Sequence, residues 1–428
     1  MNRVFLFIVA LSACVPVSQS SNNSALGGQK RLQLVDAVYE NNIKTARVFS
    51  DNQSSLDQLL PAVTQIGKWN LILEFDDLHT DRDNYYIRII HCNQNWTKST
   101  LMDLDYLTDY NEFPINNFEF SLDTWIPYVH YWAKLPAVKL PGNYLAVVYR
   151  NSDKEDIILS KRFMVYEPRV SFLRDGKMIS SGAVAVQNQQ LNFTVNYKNL
   201  TLLNPMETVN VTIRQNQRWD NLAQEVKPSF VKENIQELEY RFFGDSDMFK
   251  GGNEFRFFDL RSINYPGRNV SHMDKSKVPW TAYIEKDKSK AGEYYSQYQD
   301  YNGGYLLDNY DYRITNASNY ANVVFTLSSA PVQGEVFLMG AFNQWSASES
   351  NRMKYDSTKR EYSASFLLRQ GWYDYQYAVK SKTLPYFYLE GSHFQTENKY
   401  EIFVYYRSFQ PNADLLIGYL AFAENPKF

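Results

Sequence analysis

Apolar and polar residues alternate with a period of two through most of this chain. In the stretch KWNLILEFDD, the apolar residues Trp69, Leu71, Leu73 and Phe75 occupy every second position. Side chains of an extended strand point alternately to its two faces, so these four residues share one face. The stretch YYIRIIH repeats the pattern, whereas both faces are apolar in GNYLAVVY. Strands that are buried on one or both faces are typical of sheets packed into β-sandwiches.

Three series of such strands follow one another. The first ends at Pro168, the second includes QQLNFTVNY, TVNVTIRQ, LEYRFF and PWTAYIEKD, and the third begins at Asn319 with YANVVFTLS. Proline suits strand ends and linkers, and this places a domain boundary after the first series. We therefore predict an all-β chain of tandem, immunoglobulin-like β-sandwich domains, with boundaries at 29–168, 169–315 and 316–428.

Helix content should be low. A sustained 3.6-residue apolar period is missing from the sequence apart from Leu56 to Leu60, which Pro61 follows at once. The Tyr-rich polar stretch between Lys286 and Arg313 contains a Gly-Gly turn. This composition favours a long hairpin or crossover over a core strand.

The first 28 residues are typical of a targeting segment and tether. Arg3 precedes an apolar run that ends at Leu11, which is too short to cross a bilayer but long enough for a signal peptide. The motif LSAC, ending at Cys14, resembles a bacterial lipobox, in which the chain is cut before the cysteine and the thiol receives a lipid. We favour lipidation of Cys14 because small residues directly precede it. An ordinary signal peptide cut near Ser20 is the alternative.

Composition narrows the function classes. The 428 residues carry a formal net charge of −3, with Lys and Arg scattered along the chain, so the attraction that nucleic-acid binding needs is missing. Of the 2 cysteines, Cys14 would be lipidated or removed, which leaves Cys92 without an intrachain partner. This excludes a disulfide-stapled secreted scaffold.

The sequence offers no convincing catalytic or metal motif. His91 and Cys92 are neighbours, but adjacent strand residues point to opposite faces, so we interpret them as a strand end with a buried thiol. His393 lies near Glu390 and Glu397, where a loop metal site is conceivable, although a polar turn is favoured. We expect no enzyme activity, no catalytic residue, no metal, no cofactor and no small-molecule substrate.

The stretch GNEFRFFDLRS, residues 252–262, places charged residues among three phenylalanines. As a strand it would direct Phe255 and Phe257 to one side and Phe258 and Leu260 to the other. Buried charges are usually paired, so we predict that Arg256 and its neighbouring charged residues pair within the domain. A role at an interface is the alternative.

The third series contains VFLMGAFNQWS and, further on, GWYDYQYAV. These stretches resemble the early-set β-sandwich modules of glycogen-binding and branching proteins, which stack sugar rings on two tryptophans and hydrogen-bond them with a lysine. Trp345 matches the first tryptophan, but Gln376 stands at the lysine position and Tyr386 replaces the second tryptophan. The resemblance implies an early-set fold. A glycan contact at Trp345 is the alternative to a structural role, which we favour.

Longer stretches in all three series resemble a second family, the plug protein of the bacterial type IX secretion system of Bacteroidetes. They are YYIRIIHCNQNW, WIPYVHYWAKLP, LPGNYLAVVY, SKRFMVYE, GNEFRFFDLRS, LEGSHFQTENKYEIFVYYR and ADLLIGY. This resemblance implies a non-enzymatic periplasmic protein that binds the periplasmic face of the outer-membrane translocon barrel and seals its pore. It also implies a location at the inner leaflet of the outer membrane, through the lipid anchor or the translocon. A glycan-binding surface lipoprotein is the alternative function.

Overall fold

Nearly all regular structure in this chain is β. The computed structural model describes residues 30–174, 186–198, 200–242 and 249–427. Strands cover 44% of the residues and helices 7%, which confirms the all-β prediction. The signal peptide, the tether and Cys14 lie outside the described residues. Within the described ranges, no helix has the length and apolar character needed to cross a membrane.

The first sandwich contains the strands from residue 37 to residue 166. They are β1 (Ala37–Val38), β2 (Ile43–Ser50), β3 (Val63–Gln65), β4 (Leu71–Asp77), β5 (Tyr85–Cys92), β6 (Phe113–Pro114), β7 (Asn117–Phe120), β8 (Val129–Lys134), β9 (Gly142–Arg150) and β10 (Ile157–Tyr166). One sheet has the order β1-β10-β9-β5-β6, with β3 paired to β10, and the other has the order β2-β4-β8-β7. Their facing sides bury Leu73, Phe75, Ile87 and Ile89, as the alternation predicts, whereas Trp69 precedes β4 and is exposed.

The described part of the second sandwich begins with eight strands. They are β11 (Ser171–Arg174), β12 (Asn188–Gln189), β13 (Phe193–Asn196), β14 (Val209–Gln215), β15 (Leu222–Val226), β16 (Phe230–Lys232), β17 (Glu237–Tyr240) and β18 (Phe249–Lys250). The strand order β11-β13-β17-β16 forms one sheet, and β12 pairs with β18.

The third sandwich contains the strands from residue 256 to residue 380. They are β19 (Arg256–Asp259), β20 (Val270–Asp274), β21 (Thr281–Ile284), β22 (Asp287–Lys288), β23 (Tyr305–Leu307), β24 (Tyr320–Ser328), β25 (Glu335–Met339), β26 (Lys354–Asp356), β27 (Glu361–Arg369) and β28 (Gly371–Lys380). Strands β19, β23 and β25 pair with β28, and the order β20-β21-β24-β27-β26, with β22 on β24, forms the opposing sheet.

The last two strands return to the second sandwich. Strand β29 (Asn398–Ser408) pairs with β14, and β30 (Ala413–Glu424) pairs with β29, in a sheet of order β15-β14-β29-β30. Tyr400, Ile402 and Val404 of β29 lie in its core. The third sandwich is thus inserted between the two parts of the second. The predicted boundary at residue 315 falls between β21 and β24, which pair with each other in one sheet. The sequence pattern of a strand does not show which sheet the strand enters, so it could not place this boundary.

The helical elements are short. Among the described residues they include α1 (Asp103–Tyr106), α2 (Pro205–Thr208) and the 3₁₀ turns Ser55–Leu59, Glu233–Ile235, Thr315–Ala317, Ala341–Asn343 and Glu349–Asn351. The Tyr-rich stretch between Lys286 and Arg313 does hold a core strand, β23, with its three residues buried. The prediction of a hairpin or crossover there missed β23 because polar residues surround its short apolar run.

Candidate functional site

Buried ion pairs and cation–π contacts connect the sandwiches at three places. We name them the first joint, centred on Asp76 between the first and third sandwiches; the second joint, centred on Arg162 between the first and second; and the third joint, centred on Arg218 between the second and third. Each joint places buried charges between sheets that are distant in sequence.

The first joint is a closed ion pair. Both carboxylate oxygens of Asp76 accept hydrogen bonds from Nη1 of Arg369, at 3.0 and 2.9 Å. The Tyr320 hydroxyl donates to Oδ2 at 2.6 Å, and Nδ1 of His130 lies 2.7 Å from Oδ1. Asp76 and Arg369 are 0% and 1% exposed. Burial alone would raise the pKa of Asp76, but the charge of Arg369 and the hydrogen bond from His130 hold that pKa well below its ordinary value.

Further contacts surround this ion pair. The indole rings of Trp125 and Trp280 lie 4.5 Å apart, and the Tyr128 hydroxyl donates to the backbone carbonyl of Ser318 at 3.1 Å. Gln58 in the 3₁₀ turn Ser55–Leu59 exchanges two hydrogen bonds with the backbone of Leu307, at 3.2 and 2.9 Å. An apolar contact combined with directional hydrogen bonds fixes both the distance and the orientation of the two sandwiches.

The second joint alternates cations with an aromatic ring. The guanidinium of Arg162 lies 4.0 Å from the centre of the Trp219 ring, and that of Arg214 lies 4.3 Å from the same ring. Arg162 is neutralised by Asp36 at 3.1 Å and Arg214 by Glu401 at 2.7 Å. Cation–π contacts gain strength when they are removed from water, so this stack stabilises a largely buried interface.

The third joint covers Trp345, for which a glycan contact was the alternative to the favoured structural role. The structure brings Trp345 and Tyr386 into one cluster, and Nε2 of Gln376 lies 3.4 Å from the Tyr386 hydroxyl. Arg218 of the second sandwich lies 4.3 Å above the Trp345 ring and donates to the Tyr386 hydroxyl at 2.7 Å. Trp345 is only 8% exposed. The place where a related module would stack a sugar ring is therefore occupied by an arginine of the neighbouring sandwich, which supports the structural role for Trp345.

A cluster of buried carboxylates lies beside the third joint. Nζ of Lys427 reaches Oε2 of Glu254 at 2.6 Å and Oδ1 of Asp300 at 3.7 Å. Burial raises the pKa of Asp300 to about 7, although the charge of Lys427 opposes this shift. Burial and the neighbouring Asp300 raise the pKa of Asp374 well above its ordinary value. Raised carboxyl pKa values are a feature of acid–base catalysts.

These carboxylates nonetheless face inward. Asp300 accepts hydrogen bonds from the backbone N–H groups of Phe255 and Asn302, at 2.7 and 2.8 Å. Asp374 accepts from the backbone N–H groups of Tyr301 and Gly303 and from the Trp372 indole. Their side chains are 1% and 0% exposed. A substrate has no access to such groups, and their role is to hold the loop that precedes β23.

The strand within residues 252–262 fulfils the prediction of internal pairing. Phe257 stacks on Trp372 at 4.4 Å, while Phe258 enters the core of the third sandwich. Arg256 is 8% exposed and pairs with Glu390 at 3.0 Å and Asp287 at 2.7 Å. All three residues belong to the third sandwich or its flanking loop, so the charges stabilise the domain internally.

His91 and Cys92 are not a catalytic pair. The His91 ring packs against Tyr144 and Tyr106, at 5.0 and 5.7 Å, whereas Cys92 lies in the apolar cluster of the second joint. Burial lowers the pKa of His91 to about 4 and raises the pKa of the Cys92 thiol to about 12. A neutral buried thiol is a poor nucleophile. The two side chains diverge, as the strand geometry predicts.

The two carboxylates near His393 in the sequence have other partners. Glu390 is committed to Arg256, and Glu397 accepts the Lys427 backbone N–H at 2.9 Å, so the residues around His393 face different partners. A different trio, Asp77, His79 and Asp83, places potential ligand atoms within 4.8 Å of one another. There, Asp77 already accepts the Tyr85 hydroxyl at 2.7 Å. The trio is part of a hydrogen-bond network of the first sandwich.

Sequence reasoning identified Trp345 and Tyr386 but missed the charged residues of the joints. Asp76 and Arg369 are 293 positions apart, and Asp36 and Arg162 are 126 apart. The one available signal was a charge beside strongly apolar strand residues, as in LEFDD and FLLRQ. That signal identifies a charge that needs a partner, but it does not name the partner.

Comparisons with known proteins agree with this architecture. A crystal structure at 2.30 Å resolution of a hypothetical protein from Parabacteroides merdae superposes with a TM-score of 0.84 at 26% sequence identity. The match covers 92% of this chain and 100% of that protein. No curated protein matches the chain. Residues 43–167 match the family model described as the type 9 secretion system plug protein 1st domain. This range coincides with the first sandwich, and we conclude that the first sandwich belongs to the family of type 9 secretion system plug protein first domains.

Proposed function

We propose that this protein is a non-enzymatic periplasmic plug, which binds the periplasmic face of the type IX secretion translocon in the outer membrane and seals its pore. The observation that carries the proposal is the match of residues 43–167 to the first domain of plug proteins. A channel wide enough for folded cargo would leak small solutes when idle, so the cell gains from a stopper.

The joints support this role in physical terms. A protein that seals a pore must keep its shape. Tandem sandwiches that were joined by linkers alone would move relative to one another. Here the ion pair of Asp76 with Arg369 and the stack of Arg162 on Trp219 connect neighbouring sandwiches through buried contacts. Breaking a buried ion pair costs several kcal/mol, about 3–5 when one partner is removed, so bending is opposed strongly.

Location and anchoring belong to the same proposal. A lipid on Cys14 would hold the protein at the inner leaflet of the outer membrane, and the tether up to residue 28 would let it reach the pore. Anchoring raises the effective concentration of the plug at its partner. Metabolic labelling with palmitate should mark the parent protein and not the Cys14→Ser variant. Persistent labelling of the variant would contradict an anchor at this cysteine.

The test of partner and role uses the tagged full chain at its native level. A pull-down from the outer membrane of its own organism should recover a very large barrel protein. A second bait, residues 1–168 with the same tag, shows whether the first sandwich is sufficient. Cells that lack the protein should take up a small membrane-impermeant dye faster than the parent. A folded bait that recovers no large barrel protein, together with unchanged dye uptake, would end the proposal.

The glycan-binding alternative gains no support from the geometry. The Trp345 ring is buried beneath Arg218, and Tyr386, which occupies the second tryptophan position, is bound to the same arginine. A sugar would have to displace this arginine from the third joint.

A further inference from the structure

A cavity of about 160 Å³ lies where the three sandwiches meet. Lys161 and Arg162 line it from the first sandwich, Arg214 from the second, and Tyr301 and Trp345 from the third. Its volume would hold about five water molecules at the density of liquid water. Inorganic phosphate and sulfate have a similar number of non-hydrogen atoms, so an ion of that size matches this volume.

The lining of this cavity is strongly cationic. Arg47, Lys161, Arg162, Arg214 and the exposed Lys399 contribute positive charges, whereas Asp36 is the one carboxylate among the described residues that line it. Three of the cations have counterions: Arg47 pairs with Glu74 at 2.5 Å, and Arg162 and Arg214 pair as described for the second joint. Their charges are therefore largely neutralised within the protein.

Lys161 differs from these three arginines. Its side chain is 7% exposed, and within the described ranges it makes no hydrogen bond and no ion pair. Asp36 is its electrostatic neighbour, but this carboxylate already accepts hydrogen bonds from the backbone N–H of Arg162, at 2.7 Å, and from the Arg162 side chain. A buried ammonium group without a partner is costly, and burial accordingly lowers the pKa of Lys161.

Arg47 lines the same cavity and carries a second unsatisfied donor. Nη1 of Arg47 is buried and has no hydrogen-bond partner, although the rest of this guanidinium is held by Glu74 and lies over the rings of Phe49 and Tyr305. Lys161 and Arg47 lie on strands β10 and β2, which contact each other. Two cationic donors that lack a partner, both on residues that line this cavity, suit an anion.

We propose that this cavity binds a small inorganic oxyanion of the phosphate or sulfate class, with Nζ of Lys161 and Nη1 of Arg47 as its donors. An oxyanion suits this site better than a halide, because its separate oxygens can accept from Nη1 of Arg47 and from Nζ of Lys161 at once. A nucleotide or a peptide is too large for the volume. This site does not depend on the proposed plug function.

The physical consequence concerns the arrangement of the sandwiches. The cavity exists only while all three sandwiches are in contact, so the bound ion stabilises that arrangement over any in which a joint has opened. In addition to the three joints, a bound oxyanion would thus stabilise the contact between the sandwiches. It would also supply the negative charge that Lys161 lacks within the protein.

The experiment measures phosphate binding by calorimetry and thermal unfolding of the full chain, with chloride at equal ionic strength as the reference. For the parent we expect saturable binding and a rise in the unfolding midpoint that saturates with it. Lys161→Met should bind phosphate at least tenfold more weakly and lose this rise. In phosphate-free buffer its midpoint should equal or exceed that of the parent, because an unpartnered buried charge is gone. Lys134→Met, at an exposed position of β8, should behave as the parent.

A second variant guards against a folding defect. Arg47→Lys keeps a positive charge opposite Glu74 but removes Nη1, and it should weaken phosphate binding severalfold while leaving the fold intact. Sulfate in place of phosphate should give the same pattern in all variants. Absence of saturable binding to the parent, or equal binding by the parent and Lys161→Met, would overturn the proposal. A midpoint that rises equally in chloride and in phosphate would overturn it as well.

Discussion

At the scale of single residues, His91 carries a stability that depends on pH. Its ring is 1% exposed, and burial lowers its pKa to about 4, against an ordinary value of 6.5, although the charge of Asp414 opposes the shift. The unfolded chain therefore binds one more proton than the folded chain between these two values. Neutral His91 therefore contributes to the free energy of unfolding, and this contribution is complete above pH 6.5. It is lost progressively as the pH falls to 4, by roughly 3 kcal/mol in all.

This window can be measured by urea unfolding at a series of pH values from 7 to 4. The His91→Leu variant should start from a lower stability at neutral pH, because a well-packed ring has been replaced, but it should lose less on acidification than the parent. The matched control is His272→Leu, since His272 is exposed on β20. Parallel pH profiles for the parent and His91→Leu would show that the buried ring does not titrate in this range.

At Gly303, the lack of a Cβ atom leaves the space that Trp345 occupies in the third joint. The φ of Gly303 is +81°, and a Cβ at this position would lie 2.4 Å from Cη2 of Trp345. Gly292 has a similar φ of +77°, but a Cβ there would meet nothing within 4 Å. Gly292→Ala should therefore cost about 1–2 kcal/mol from backbone strain alone. Gly303→Ala should cost roughly 1–3 kcal/mol more, because the indole is held between Arg218 and Phe255.

The difference between these two variants isolates the crowding, since the backbone strain is common to both. Urea unfolding monitored by tryptophan fluorescence measures it, and the emission of Trp345 should shift in Gly303→Ala alone. Equal losses of stability in the two variants would mean that Trp345 moves aside freely and that the third joint is loose.

At the scale of elements, the first joint connects β4 of one sandwich to β27 of another. Asp76→Asn leaves the Arg369 guanidinium buried without a counterion, and we expect a loss of about 3–5 kcal/mol in unfolding free energy. The double variant Asp76→Leu with Arg369→Met removes both charges and should be more stable than Asp76→Asn. The matched control is Glu335→Gln, which breaks the exposed pair with Arg352 and should cost less than about 1 kcal/mol.

A double-mutant cycle by urea unfolding gives the coupling between Asp76 and Arg369. Because the protein has several sandwiches, each variant also needs a check that the transition remains single. Equal stabilities of Asp76→Asn and Glu335→Gln would mean that the first joint does not hold the two sandwiches together.

Elements and their pairing differ in how far sequence reveals them. Strands β4, β5 and β9 were predictable because the alternation that buries Leu73 and Ile87 is local to each strand. The buried state of Arg256 was predictable for the same reason. Its partner Glu390 was not predictable, because 134 positions separate the two residues. The pattern of a strand does not indicate which distant residue will lie against it. The joints share this property: they depend on which sheets meet, and that is set by the packing of whole domains.

At the scale of the whole molecule, the insertion of the third sandwich determines which parts of the chain fold alone. All strand pairs of β19 to β28 lie within residues 251–397, and the core of this sandwich joins Phe258 to Phe325 and Tyr373. Residues 316–428, by contrast, lack the partners of β24 and β28 that precede residue 316, and they carry β29 without β14.

We predict that the fragment 251–397 folds cooperatively and that the fragment 316–428 does not. Circular dichroism and amide-proton dispersion in NMR spectra measure this, with the fragment 30–167, a complete sandwich, as the positive control. A folded fragment 316–428 would contradict the sheet order, since its β29 would have to find a partner other than β14, and the closure of the second sandwich by the end of the chain would lose its physical basis.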